Sequence, residues 1–423
     1  MMLICALLIG MANGDTLTFT VEEAIDFALR NNPEMEQLTI EVQKSEEQVG
    51  QAISSFYPSV SASGYYAYVT DVPIIEFDSI PIPFGSNENY RLEVSLQQVL
   101  FAWGKLYNAY KISDIGHDIA ELSLARKQQE IRYAVTDAFY GLLVLEEYLT
   151  QAQASLEQLE RFAASVETRY KAGLVSQFDL LRATVQLENL KPVVIQAENT
   201  LNLAREGFKL LLGMELDNEF RLSGELKMVE EEFVLDELID HAMEHRVEIK
   251  NLMNTERIAR LSQAITRRTN LPTLVGGATY TRTKPFSFTG DEWGSSLTFN
   301  LGFQWPLFSG FSNLHKSREA ALMLKEARLG LENLERAVQV EVKQSYLSHL
   351  AAKEAIDAAQ ENVGQAEKAF EIIETRYRNG LATNLEVLDT ELAYRQSRVN
   401  YLTALKNYNT SLAEIYKAIG KEE

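Results

Sequence analysis

The chain has 423 residues, with 60 Asp or Glu against 40 Lys or Arg, for a formal net charge of −20. Such an acid surplus excludes nucleic acid as a partner, because phosphate binding needs a basic face; it suits a solvated surface or a conduit for cations. The one cysteine, Cys5, excludes an intramolecular disulfide.

In chain order, residues 1–14 read as a signal peptide. Their apolar run is too short to span a bilayer, and Ala12-Asn13-Gly14 offers small residues for cleavage before Asp15. The run lacks a basic flank, so the start is expected further upstream. Bulky Ile4 stands before Cys5, where a lipoprotein signal wants a small residue. No later stretch reads as a transmembrane helix, so export leads to the periplasm, the cell exterior or the outer membrane.

Thr20-Val21-Glu22-Glu23 is a capping-box pattern and predicts a helix to about Asn31. Pro33 opens a second helix that reaches about Phe56. Strands are expected near 57–70, 89–101, 271–283 and 295–308, where apolar and polar residues alternate. The clearest has Leu297, Phe299, Leu301, Phe303 and Trp305 on one face, with Thr298, Asn300, Gly302 and Gln304 on the other. A long helix is predicted from about Gly104 to Arg169, roughly 100 Å. Its return, Ser176 to Leu212, covers roughly 55 Å, with a kink expected at Pro192. No proline lies between Pro83 and Pro192 or after Pro306, which permits such lengths.

The chain repeats itself. Arg169-Tyr170-Lys171-Ala172-Gly173-Leu174-Val175-Ser176 returns 207 residues later as Arg376-Tyr377-Arg378-Asn379-Gly380-Leu381-Ala382-Thr383. The same offset pairs Leu100-Phe101 with Leu307-Phe308 and Leu212-Gly213 with Ile419-Gly420. Upstream, an offset of 214 pairs Phe19 with Phe233, Ala28 with Ala242 and Pro58 with Pro272. Two copies follow, 17–213 and 231–420, the first with a longer loop between Pro58 and Leu100.

An apolar face opposite a polar one suits a barrel wall between lipid and water. Tyr90, Tyr280 and Trp305 are placed at interfacial levels, and Asp71–Glu88 and Lys284–Gly294 become outer loops. Hydrocarbon offers no hydrogen bonds to an open edge, and the smallest barrels need about eight strands. Four strands therefore need sister subunits; a dimer would give eight strands and a trimer twelve. An ordinary sheet packed on helices shows the same alternation, but gives no reason for helices of roughly 100 Å.

The duplication, the strand-preceding Tyr57-Pro58-Ser59 and Leu271-Pro272-Thr273, and the two Arg-Tyr-x-x-Gly-x-x-Ser/Thr turns resemble the TolC family of outer-membrane efflux proteins. The resemblance covers nearly the whole mature chain. It implies a mainly α protein, whose long antiparallel coiled-coil helices form an α-barrel. Four transmembrane β-strands per protomer make a twelve-stranded barrel in a homotrimer. The implied location is the outer membrane, with the helical portion in the periplasm. The implied function is passive export of small molecules such as drugs, toxins or metals, delivered by an inner-membrane pump and a periplasmic adaptor. No catalysis, cofactor or metal is expected. The alternatives are the duct of a type I protein secretion system and a soluble periplasmic coiled-coil scaffold.

At the turns, Gly173 and Gly380 suit the left-handed position that ends a helix, and Ser176 and Thr383 the N-cap of its return. Thr383-Asn384-Leu385-Glu386 is a full capping box, and Ser176-Gln177-Phe178-Asp179 a close variant. Leu174, Val175, Leu381 and Ala382 put apolar groups at a solvent-facing tip, which suggests a partner surface. The resemblance makes that partner the adaptor.

Glu386 and Asp389 share one helix face, and Asp179 and Arg182 are their matches in the first copy. The resemblance implies that an acid doublet lining the periplasmic aperture falls on Glu386 and Asp389. It also implies an acid–tyrosine contact of the closed state between Asp179 and Tyr377. A basic tether found in some relatives falls on Ala382, a departure from that pattern. Acids in a first helical turn also suit the helix dipole, whatever the function. His241-Ala242-Met243-Glu244-His245 fits a zinc-peptidase pattern, but the first copy has Phe27 and Asn31 at the histidine positions, in a helix of the same kind.

Overall fold

In this computed structural model the described residues are 17–77, 80–83, 85–224, 227–228, 231–287 and 290–421. The expected signal peptide, with Cys5, lies outside them. The elements run β1 Leu17–Phe19, α1 Val21–Asn31, α2 Pro33–Ser54, β2 Ser59–Tyr68, β3 Ile74–Phe77, β4 Ile80–Pro83, β5 Glu88–Phe101, α3 Lys105–Lys171, α4 Gln177–Leu212, β6 Phe220–Leu222, α5 Leu235–His245, α6 Val247–Arg267, β7 Thr273–Lys284, β8 Gly294–Gln304, α7 Ser312–Arg378 and α8 Asn384–Ile419. The protein is mainly helical: α3 and α7 have 67 residues each, and α4 and α8 have 36 each. The chain forms two compact units. One holds Met1–Thr39, Ser123–Ile249 and Leu334–Glu423, and the other Ile40–Leu122 and Lys250–Asn333.

In the first unit α1 starts on its capping box. Thr20 N donates to Glu23 Oε2 at 2.9 Å, and Glu23 N to Thr20 Oγ1 at 3.2 Å. Its buried face, Ala24 and Ala28, joins a core with Phe19, Val135, Phe139, Leu142, Leu201, Phe208 and Leu212. β1 pairs in parallel with β6, Leu17 opposite Phe220. Three residues are too few to show an alternation, so this pairing is invisible in the sequence. Pro192 lies inside α4 but does not end it; proline removes one helical hydrogen bond, which the packing of Leu190, Val194 and Ala197 offsets by burial.

Both return helices end on a glycine locked against a short helix. Gly213 has φ 72°, and a Cβ there would stand 2.3 Å from Asn31 O. Gly420 has φ 73°, and a Cβ would stand 3.2 Å from Arg246 Cα. Asn32 Nδ2 donates to Leu211 O at 2.8 Å. Arg246, 214 residues later, donates through Nη1 to Ala418 O at 3.2 Å. The two side chains thus hold matching carbonyls with different chemistry. Arg246 is buried and also binds Glu248 through Nε and Nη2, both at 3.1 Å, and Glu341 at 2.7 Å. Burial alone would raise the Glu248 carboxyl; the hydrogen bonds and charge of Arg246 more than offset it and hold the group below the usual range.

In the second unit β2, β5, β7 and β8 form one antiparallel sheet in the order β2-β5-β7-β8. The segment expected as the loop Asp71–Glu88 contains a hairpin, β3 paired with β4. Pro73, Pro81 and Pro83 hide it, because proline normally argues against a strand. Each strand-to-helix turn has two successive left-handed residues: Trp103 (φ 55°) with Gly104 (φ 74°), and Gly310 (φ 61°) with Phe311 (φ 67°). A non-glycine residue there costs about 1 kcal/mol. Trp103 is tied in place by its indole N–H, 2.8 Å from Pro272 O, and by Arg268 Nη1, 3.1 Å from its own carbonyl.

Replacing Arg246 by Ala leaves two carboxylates and one carbonyl without their donor. The expected loss of stability is roughly 2–3 kcal/mol, between a surface and a fully buried ion pair. Asn32→Ala removes one neutral hydrogen bond and should cost about 1 kcal/mol. Because Glu248 is held low, its contribution is present above the ordinary carboxylate range and lost as pH falls through the lowered value. The gap in thermal midpoint between Arg246→Ala and the parent should therefore shrink in acid, as differential scanning calorimetry would show.

Candidate functional site

The register of the sheet sorts its two faces. Residues directly opposite point the same way. One face carries the rows Ala62–Val94–Tyr280–Leu297 and Val60–Leu96–Ala278–Phe299, continued by Gly276–Leu301 and Leu274–Phe303. The other carries Ser61–Ser95–Thr279–Thr298, Ser63–Glu93–Thr281–Ser296 and Ser59–Gln97–Gly277–Asn300. The apolar side chains are bare within the chain: Phe299 is 77%, Leu301 71% and Phe303 72% exposed. On the polar face the Ser61 and Ser95 hydroxyls lie 2.9 Å apart, and Arg91 pairs with Glu93 at 2.8 Å.

β2 and β8 are the edges of this sheet. Aromatic groups gather at both ends. Tyr90 lies 4.8 Å from Tyr66 and 5.7 Å from Trp293 at one; Phe101 packs 5.0 Å from Trp103, and Phe308 5.4 Å from Phe311, at the other. Trp305 is fixed by an indole N–H 3.0 Å from Asn270 O. Tyr280 sits within the apolar rows, opposite Val94 and Leu297, rather than at an end of its strand. Among the described residues no helix is long and apolar enough to cross a membrane.

The two helical tips are built alike. Gly173 and Gly380 both have φ 73°. Gly173 N donates to Tyr170 O at 2.9 Å and Leu174 N to Arg169 O at 2.9 Å; Gly380 N donates to Tyr377 O at 3.0 Å and Leu381 N to Arg376 O at 2.8 Å. This is the Schellman closure of a helix end. A Cβ on either glycine would meet nothing within 4 Å. Leu174 is 74% and Leu381 68% exposed, while Val175 and Ala382 are half-buried.

Ser176 and Thr383 cap the return helices. Asp179 N donates to Ser176 Oγ at 3.2 Å while Ser176 N donates to Asp179 Oδ2 at 3.1 Å; Glu386 N donates to Thr383 Oγ1 at 3.3 Å while Thr383 N donates to Glu386 Oε2 at 2.7 Å. The Thr383 backbone N–H, then its hydroxyl, hold the Glu386 carboxyl below the usual range.

The expected gate residues separate by environment. Asp179 and Glu386 are held in their own caps. Asp389 is exposed, and its carboxylate makes no hydrogen bond or ion pair among the described residues. Tyr377 is half-buried, its ring 4.9 Å under the Arg169 guanidinium and 5.4 Å from Phe162. Its hydroxyl has no hydrogen-bond partner. Burial pushes its phenol up, and Asp179 adds to the rise against Arg169. The Asp179 charge therefore acts on Tyr377 without a direct hydrogen bond between them. Phe162 and Arg169, missed as neighbours of Tyr377, line with it a groove of about 570 Å³ that also contains Phe370, Leu388 and Glu391. Arg169 stands in the repeated Arg-Tyr pair, the one available signal.

His241 and His245 stack at 4.0 Å. Their Nδ1 atoms donate to Ile419 O at 3.1 Å and to His241 O at 3.0 Å. The described residues contain no group of three or more side chains able to hold a metal ion. The first histidine tethers α5 to the end of α8.

The chain matches the family model described as outer membrane efflux protein twice, over residues 24–214 and 238–421. It is 21% identical over 402 residues to the outer membrane protein TolC of Escherichia coli (strain K12), covering 92% of this chain and 80% of that protein. It is 25% identical over 408 residues to protein CyaE of Bordetella pertussis, covering 94% and 84%. In three dimensions it resembles the Campylobacter jejuni CmeC outer membrane channel, with a TM-score of 0.82 at 16% identity, covering 95% of this chain and 85% of that one. An amphipathic sheet with open edges, joined to paired helices of this length and matched by that family over both halves, leaves one assignment: the chain belongs to the outer membrane efflux protein family.

Proposed function

We propose that this outer-membrane efflux channel works as a homotrimer, in which three sheets close a twelve-stranded barrel and the paired helices continue the duct into the periplasm. The observation that carries the reading is the sheet: one face apolar and bare, one face polar, two edges open. In lipid those edges find backbone partners only on sister subunits, β8 of one protomer beside β2 of the next. The polar rows then line a water-filled lumen. The channel supplies no chemistry of its own, and energy comes from an inner-membrane pump.

The tips are the docking surfaces for a periplasmic adaptor: Gly173, Leu174, Val175 and Ser176 on one hairpin, and Gly380, Leu381, Ala382 and Thr383 on the other. Exposed leucines on rigid, capped turns support this reading. At the periplasmic mouth Asp389 is the gate charge, because no cap occupies its carboxylate. Glu386, engaged by Thr383, contributes charge but less freedom. Like charges about 6 Å apart in water repel by roughly 0.7 kcal/mol, so the ring favours cations and biases the mouth towards opening. Tyr377, under Arg169 and within the field of Asp179, forms the contact between hairpins that opening must rearrange.

Three outcomes test these assignments. Leu301→Lys puts a charge on the lipid face at a cost of about 2–4 kcal/mol and should remove heat-modifiable trimers from outer-membrane fractions, whereas Asn300→Lys on the polar face should keep them. Asp389→Ala should lower cation selectivity in planar bilayers; an unchanged reversal potential would sink the gate assignment. Leu381→Asp should abolish export with trimers intact, because this side chain is 68% exposed at the tip and does not set the turn; normal export would remove docking from this turn.

A further inference from the structure

The two copies differ in the middle of their hairpins. Where the first has Leu142, the second has His349, 207 residues on. The surroundings change with it. Leu17, Leu201 and Ala204 of the first copy become Glu231, Tyr408 and Ser411, and Phe19 alone keeps its character, as Phe233. In the first copy all of these belong to or pack against one apolar core. In the second, His349 is 2% exposed, its ring 4.9 Å from Tyr408 and 5.5 Å from Phe233.

Both hydrogen bonds on Ser411 are made at once only when His349 Nδ1 carries the proton. Ser411 Oγ donates its one hydrogen to Tyr408 O at 2.7 Å. Toward His349 it can only accept, so Nδ1, 2.9 Å away, is the donor. Nε2 is then a bare lone pair, and it is buried with no hydrogen-bond partner. A second proton there would be a buried donor without an acceptor and a buried charge, and both are unfavourable.

The charged groups that bear on the ring are Lys353, one turn along α7, and Glu231, in the segment before α5. Lys353 has the same sign as the imidazolium. Glu231 is occupied by the Tyr416 hydroxyl at 2.5 Å. From α8 come Tyr408, Ser411 and Tyr416, and burial followed by Glu231 pushes the Tyr416 phenol far up, so that it stays neutral.

We propose that His349 makes the second hairpin an acid-sensitive joint, loosened when the imidazole gains its second proton, while the first hairpin, with Leu142 in the same place, is indifferent to pH. The imidazolium has two ways to satisfy its new N–H. It takes Glu231 and displaces Tyr416, or it leaves the core as α7 and α8 open. Either undoes the packing of Tyr408 and Phe233. Burial, then Lys353, hold the imidazole below its ordinary value of 6.5. A depressed group supports the folded state in full above its ordinary value and withdraws that support as pH falls through the lowered one. The joint is therefore tight at neutral pH and loose in acid. This concerns α7 and α8 within one protomer and does not depend on the docking or gate assignments.

Hydrogen–deuterium exchange on the full chain in detergent tests it, at about pH 7.5 and about pH 5, either side of the ordinary imidazole value. After correction for intrinsic rates, protection over 345–353 and 404–416 should fall on acidification, by at most about tenfold per pH unit. The matching segments 138–146 and 197–209 should hold. His349→Leu, which installs the first copy's residue, should abolish the dependence, and so should His349→Gln, which keeps a polar but uncharged group. No fall in the parent protein, or an equal fall in the variants, overturns the proposal.

Discussion

A β-strand whose edge is open must find another backbone or remain in water, and this constraint organises the molecule. The sheet β2-β5-β7-β8 has one side of bare Phe, Leu and Val and an opposite side of Ser, Thr, Asn and Gln, yet its end strands, β2 and β8, each keep one open edge. The apolar face calls for lipid, and lipid forbids the open edges. A single chain cannot meet both demands. Association with sister subunits, as proposed above, reconciles them.

The two halves show how one arrangement can be held by different chemistry. A glycine ends each return helix where a side chain would strike the neighbouring short helix, and a donor from the following position ties the last carbonyls. An amide suffices in the first half; a guanidinium shared by two carboxylates serves in the second. The hairpin cores diverge further, with leucine against leucine in one and histidine, serine and tyrosine in the other. Each half buries a cation, Lys209 in the first and Arg246 in the second, but only the second places an imidazole in its hairpin core.

Much of this was legible in the sequence because its signals are local. The capping boxes at Thr20, Ser176 and Thr383, the glycines at the tips and the alternation around Phe299 each need only a few neighbouring residues to be read. What stayed hidden depends on partners far along the chain. β1 and β6 are three residues each, and their pairing joins positions about two hundred apart. The β3–β4 hairpin is disguised by prolines. Arg246 and His349 look like any surface charge and any stray histidine until burial shows what they touch. At the tip, the pairing of Arg169 with Tyr377 crosses between the two hairpins, and no spacing rule within one helix encodes it.

The apex of each hairpin separates shape from identity. Its path is set by a glycine, a hydroxyl cap and backbone bonds, none of which involves the side chains that protrude. Leu174 and Leu381 are largely exposed, so they are free to change without disturbing the turn that carries them. A lineage could therefore re-match its contact residues to a new assembly one substitution at a time, while the geometry presented to that assembly stays constant.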